Sequence, residues 1–174
     1  MKRIITLLVC AAGFLFAQAP QRAPGFCLAD TTGQWRDLAD YRGKVVIVEF
    51  MQTTCPHCAD FTKVLSGLVK KYGARLQVLS IALPNDTPQT MLQFAKGHSL
   101  TWPLLLDQGQ VAASYVRGPS INFPALYLID GNGKIAGHWE YSPLTKDVFE
   151  GSQLSREVDK LLVPASPVPA SRKK

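Results

Sequence analysis

The sequence predicts a single mixed α/β domain: a layered sandwich with a mixed central sheet, helices on both faces and an N-terminal β-hairpin. Three observations carry that expectation. Lys44–Phe50 and Leu76–Leu83 are apolar and rich in β-branched residues on both faces, as strands in the middle of a sheet must be. Between them, Pro56–Tyr72 repeats Phe61, Leu65, Leu68, Val69 and Tyr72 along one helical face, so a helix joins two parallel strands. Ala125–Asp130 and Lys134–Trp139 flank Gly131-Asn132-Gly133, a turn sequence that closes the sheet with an antiparallel pair.

The remaining elements follow in chain order. Lys2 and Arg3, the apolar run Ile4–Ala17 and the small-x-small pattern Ala17-Gln18-Ala19 mark residues 1–19 as a signal peptide. A membrane span needs about 20 apolar residues, more than this run supplies. Pro20 is a poor residue to follow a cleavage site, so cleavage nearby or a retained anchor stays open. The folded body is expected over residues 24–163. Phe26–Ala29 and Gln34–Leu38 flank the turn Thr31-Thr32-Gly33 as a first hairpin. Gly73 stops the long helix. Thr87 and Pro88 are an N-cap and a first helical position, opening a short helix that ends at Gly97. Trp102–Leu106 reads as a strand, Gln108–Val116 as a short helix and Ser152–Leu162 as the last helix. Pro164, Pro167 and Pro169 ahead of Arg172-Lys173-Lys174 make residues 164–174 a flexible basic tail.

Composition narrows the function. With 47% apolar and 18% charged residues the chain is globular and not disordered or fibrous. The net charge of +6 resides at the ends: without Lys2, Arg3, Arg172, Lys173 and Lys174 the body is close to neutral. A neutral body carries no electrostatic footprint for nucleic acid. Four cysteines are too few for a disulfide scaffold of this length, and Cys10 falls inside the apolar leader.

Cys55-Pro56-His57-Cys58 stands directly after the most apolar strand and opens the long helix. Helix N-terminal N–H groups favour negative charge, which suits a thiolate at Cys55, and Pro56 fits a first helical turn. Two cysteines three positions apart between strand and helix form a redox motif. A zinc ribbon would need a second ligand pair, and covalent haem attachment would need His where Ala59 stands. A purely structural disulfide remains as the plainer reading, though a bridge within one helical turn is strained and reducible.

The body resembles the thioredoxin superfamily, in particular its TlpA/ResA-like secreted branch of thiol–disulfide oxidoreductases. The resemblance rests on Leu38–Val46 leading into the strand, on Cys55–Cys58, on Phe123-Pro124 and on Leu128–Ile135, and it spans roughly residues 24–140. It implies a thioredoxin-like sandwich, exchange of disulfides with protein thiols and a redox partner protein, no organic cofactor, an exported or periplasmic location and no stable membrane span once the signal is removed. Pro84–Leu106 matches the element this branch inserts into the core. Thr54 departs from the Trp common before the first Cys, and the Pro-His dipeptide is that of the oxidant DsbA, so the direction of electron flow stays open.

The resemblance also gives roles to Glu49, Phe123 and Pro124, and electrostatics gives one to His57. Glu49, an acid in a strand where charge is costly, stands six positions before Cys55 and would take the proton of Cys58, with burial raising its pKa. The plainer reading pairs it with a lysine such as Lys44. His57 beside Cys55 would make the couple more oxidising, or would simply be an exposed residue at the helix start. Phe123 and Pro124 would form a substrate-binding loop opposite Cys55, with a cis bond between them and the Phe123 ring either over the sulfurs or packed inward.

Two other functions share these residues. A copper-binding or metal-delivery module would use Cys55, Cys58 and a distant His. A peroxiredoxin-like peroxidase would need Thr where Gln52 stands. Cys27 reads as a half-buried small apolar residue, His98 and His138 as isolated, and Trp102 and Trp139 as core or interface aromatics.

Overall fold

The computed structural model describes residues 21–162 other than Arg117 and Pro119. The expected signal 1–19 and tail 164–174 lie outside the described residues. A two-stranded antiparallel hairpin, β1 (Cys27–Ala29) and β2 (Trp35–Asp37), leads through a single 3-10 turn, Leu38–Tyr41, into the central strand β3 (Val45–Met51). Helix α1 (Pro56–Tyr72) follows, then β4 (Leu76–Ala82), α2 (Pro88–Gly97), β5 (Leu104–Leu106) and α3 (Gln110–Tyr115). The chain closes with β6 (Ala125–Ile129), β7 (Ile135–Glu140), α4 (Lys146–Phe149) and α5 (Ser152–Leu162).

The main sheet has the order β5-β4-β3-β6-β7. Strands β3, β4 and β5 are parallel, while β6 is antiparallel to β3 and β7 to β6. All seven residues of β3 are buried, which is why its sequence shows no polar face. Alternate residues serve different layers. Val45 and Ile47 pack with Phe61, Leu65 and Leu68 of α1, Phe149 of α4 and Val158 of α5. Val46, Val48 and Phe50 pack with Tyr115 of α3, with Tyr127 and with Phe26 and Leu38 from the N-terminal segment. Helices thus lie on both faces. The spacing that predicts α1 is the spacing it buries, and Gly73, at φ +56°, ends it.

Several boundaries differ from expectation for local reasons. The first hairpin pairs only three residues per strand, because Phe26 and Leu38 turn into the core beside it. Cys27 is exposed and not half-buried: it alternates with the buried Phe26 on a strand with only one covered face. Strand β5 starts at Leu104, since Trp102 is buried and Pro103 brings no N–H to a ladder. Helix α3 starts at Gln110 after Gly109 at φ +97°, and the Asp107 carboxylate receives the N–H groups of Val111 (3.1 Å) and Ala112 (2.8 Å). The single turn α4 was not expected.

Candidate active site

Cys55 lies where β3 ends and α1 begins. It is the N-cap of α1, and its Sγ accepts the N–H of Cys58 at 3.4 Å, with Pro56 as the first helical residue. Its own N–H goes to the Gln52 carbonyl at 3.1 Å, which shapes the turn before the helix. Cys55 is half-buried and Cys58 is fully buried; both are free thiols.

The sheet brings a second segment to this point. Strand β6 runs antiparallel to β3 with Ala125 opposite Phe50, so the residues before β6 arrive at the carboxyl end of β3. There the Phe123–Pro124 bond is cis, and the Phe123 carbonyl lies 3.9 Å from Cys55 Sγ, a long S–H···O contact. Phe123 is half-buried and packs against the cluster of Met51, Cys58, Met91 and Phe94, which Cys55 also joins.

Glu49 shares the parity of Ile47 and Met51 and therefore faces the α1 side. It is 1% exposed and makes no ion pair among the described residues, with Lys44 or otherwise. Its Oε2 accepts the Ser80 hydroxyl at 2.5 Å, whereas its Oε1 is buried with no hydrogen-bond partner among the described residues. Burial pushes its pKa up to about 7, against the opposing pull of the Ser80 bond. The Cys58 thiol is pushed well above its ordinary range, first by burial and then by the negative charge of Glu49. The buried acid and the buried thiol thus sense each other.

His57 goes elsewhere. It is exposed, and its ring stacks on Tyr141 with centroids 4.0 Å apart and planes 20° apart; no hydrogen bond joins it to Cys55 among the described residues. His98 lies tilted against Phe94 and His138 stacks on Tyr127, and no group of three or more His, Cys, Asp or Glu among the described residues is placed to hold a metal. Cys27 sits on the first hairpin, outside the cluster around Cys58.

Sequence reasoning missed three residues that shape the site. Ser80 carries a weak sequence signal as the one hydroxyl in Leu76–Leu83, but its pairing with Glu49 is set by the register of the sheet. Trp102 donates its indole N–H to Ser80 Oγ at 2.9 Å. Asp86 receives the Thr53 N–H at 3.1 Å, the Thr53 hydroxyl and, at 3.2 Å, the Thr90 hydroxyl, tying the turn before Cys55 to the start of α2.

The AhpC/TSA family profile matches residues 19–138. The thiol-disulfide oxidoreductase ResA of Geobacillus kaustophilus is 30% identical over 149 residues, covering 83% of this chain and 76% of that protein. The thioredoxin-like protein YneN of Bacillus subtilis is 26% identical over 147 residues, covering 83% of this chain and 79% of its own. Among solved structures, a secreted Mycobacterium tuberculosis disulfide oxidoreductase superposes with a TM-score of 0.65 at 22% identity, covering 78% of this chain and 96% of that one. A thiol:disulfide interchange protein of Chlorobium tepidum gives 0.65 at 21%, covering 82% and 97%. At those identities the two structures show a shared thioredoxin-like fold.

Proposed function

Because this chain belongs to the AhpC/TSA family and is a thiol–disulfide oxidoreductase of thioredoxin-like fold, we propose that Cys55 and Cys58 are its redox pair, exchanging disulfides with protein substrates outside the cytoplasm. One observation carries the reading: a half-buried sulfur at a helix start, a fully buried second thiol three residues on and a buried acid that senses it. Export is supported by the leader-like residues 1–19.

Chemically, the Cys55 thiolate attacks a substrate disulfide, whose S–S bond breaks as a mixed disulfide forms. One substrate sulfur leaves as a thiolate and takes a proton. Cys58 then gives its proton to Glu49 and attacks Cys55 Sγ. The mixed disulfide breaks, the second substrate thiolate leaves, and the Cys55–Cys58 disulfide holds the two electrons' worth of oxidation that the substrate has lost. Run backwards, the same steps oxidise a dithiol substrate. A buried thiol with a raised pKa does not ionise by itself near neutrality, which is what gives Glu49 its task. The Phe123 backbone, beside Sγ, holds an extended substrate segment by strand-type pairing, next to Pro124. His57, exposed and stacked on Tyr141, makes no hydrogen bond to either sulfur among the described residues and has no step in this scheme.

Substitution separates this reading from its rivals. Cys58→Ser should trap substrates as stable mixed disulfides on Cys55, and Cys55→Ser should abolish exchange. Cys27→Ala should leave it intact. Exchange that survives in Cys55→Ser would overturn the reading. A metal carrier would instead show tight copper binding by the reduced pair and no trapped adducts.

A further inference from the structure

Ser80 and Trp102 take no part in the steps above, yet they hold the acid that does. The Trp102 side chain, 7% exposed, places its indole N–H 2.9 Å from Ser80 Oγ. Ser80, on β4 directly opposite Glu49, places its hydroxyl 2.5 Å from Glu49 Oε2. An indole N–H can only donate, so it occupies a lone pair of the Ser80 oxygen in every protonation state. The single Ser80 proton is then directed to the carboxylate, the one acceptor it has among the described residues. The chain of donors runs one way, from Trp102 through Ser80 to Glu49. Reversing its last link would put the Glu49 proton on Oε2 and strand the Ser80 proton in a dry site, where an unmade hydrogen bond is costly. Donation from Trp102 also polarises the Ser80 hydroxyl, making it a better donor and a poorer acceptor.

We propose that Trp102 and Ser80 are positioning residues that keep Glu49 Oε2 a permanent acceptor, so that the proton taken from Cys58 arrives at Oε1. This rests on Glu49 being the proton acceptor. Oε1 is buried and unpartnered among the described residues, as the oxygen that must change its protonation in each cycle would be.

The test reads the two steps separately, in full-length chain carrying Cys10→Ala and Cys27→Ala. Reduced protein is mixed with the aromatic disulfide 5,5′-dithiobis(2-nitrobenzoate). The first coloured thiolate released reports attack by Cys55, and the second reports resolution by Cys58. In Trp102→Phe and Ser80→Ala the pH midpoint of the second release should move up by about half a unit, roughly a threefold rise in proton affinity. The midpoint of the first release should stay in place. Trp102→Phe combined with Ser80→Ala should move no further than Ser80→Ala alone, because Trp102 acts through Ser80. Ser80→Thr, which keeps the hydroxyl, should restore the original midpoint even if the Trp102 variant folds poorly. An unmoved midpoint in Ser80→Ala, a Ser80→Thr variant that behaves like Ser80→Ala, or a double variant that shifts beyond it would overturn the relay. A Glu49→Gln variant that keeps the wild-type midpoint would overturn the Glu49 assignment itself, and the relay with it.

Discussion

Glu49 is the residue at which stability and reactivity meet. It ionises near 4.5 in an unfolded chain and near 7 when folded. Between those values the folded protein binds one proton more than the unfolded one, so stability falls as pH rises through this window and stays lowered above it. The difference amounts to at most about 3 kcal/mol. Glu49→Gln carries no such dependence. Relative to the wild type it should gain stability between pH 4.5 and 7, a relative rise of several degrees in melting temperature across a calorimetric pH series. Parallel curves would mean that Glu49 ionises like an exposed acid. The same variant should slow resolution by Cys58 more than attack by Cys55, and equal slowing would mark a structural residue.

The turn before α1 depends on an element far along the chain. Asp86, between β4 and α2, accepts the Thr53 N–H and the hydroxyls of Thr53 and Thr90. Asp86→Ala leaves that N–H without its acceptor. The expected cost is about 1–3 kcal/mol, with faster amide exchange at Thr53 and Thr54. Asp86→Asn, which keeps an acceptor oxygen, should lose much less; an Ala variant with unchanged exchange would show that the turn holds by itself. Elements of this kind also show what sequence reading can reach. Strand β3 was legible because both its faces are covered, and α1 because Pro56 and Gly73 bound a long apolar stripe. The first hairpin is shorter than expected because Phe26 and Leu38 turn into the core beside it, and α4 is too short to show a period. At the site, Cys55, Cys58 and Glu49 carry local signals. Ser80 meets Glu49 across 31 positions and Trp102 meets Ser80 across 22, and the stack of His57 on Tyr141 joins two ends of the fold. Such contacts are made by topology, which no window of sequence contains.

At the scale of the whole molecule, the N-terminal segment spans the sheet from edge to edge. Beside β7, Gln21 accepts the Ile135 N–H at 2.8 Å and Ala23 donates to Gly133 at 3.0 Å. Beside β5, Asp30 bridges Leu105 and Thr31 donates to Leu104 at 3.2 Å. Between these contacts Ala23 and Phe26 are buried over the α3 face. Five strands are about 19 Å across, well within the reach of ten residues. Asp30 fixes the β5 end: its buried carboxylate takes the N–H groups of Thr32 (2.8 Å) and Gln34 (3.0 Å) and pairs with Arg36 at 2.7 Å. Asp30→Ala should therefore cost at least about 1–3 kcal/mol and uncover the edge of Leu104–Leu106, giving association that rises with concentration in light scattering. A variant whose scattering rises with concentration no more than the wild type's would show that the edge is guarded by something else. The order of synthesis gives this segment a further consequence. A chain made amino end first produces its strap before either edge that the strap bridges exists. The earliest described segment must wait for β7, the last of the described strands, before both its ends can be seated, and until its β5 end docks the leucine edge of β5 lies open to any extended chain nearby.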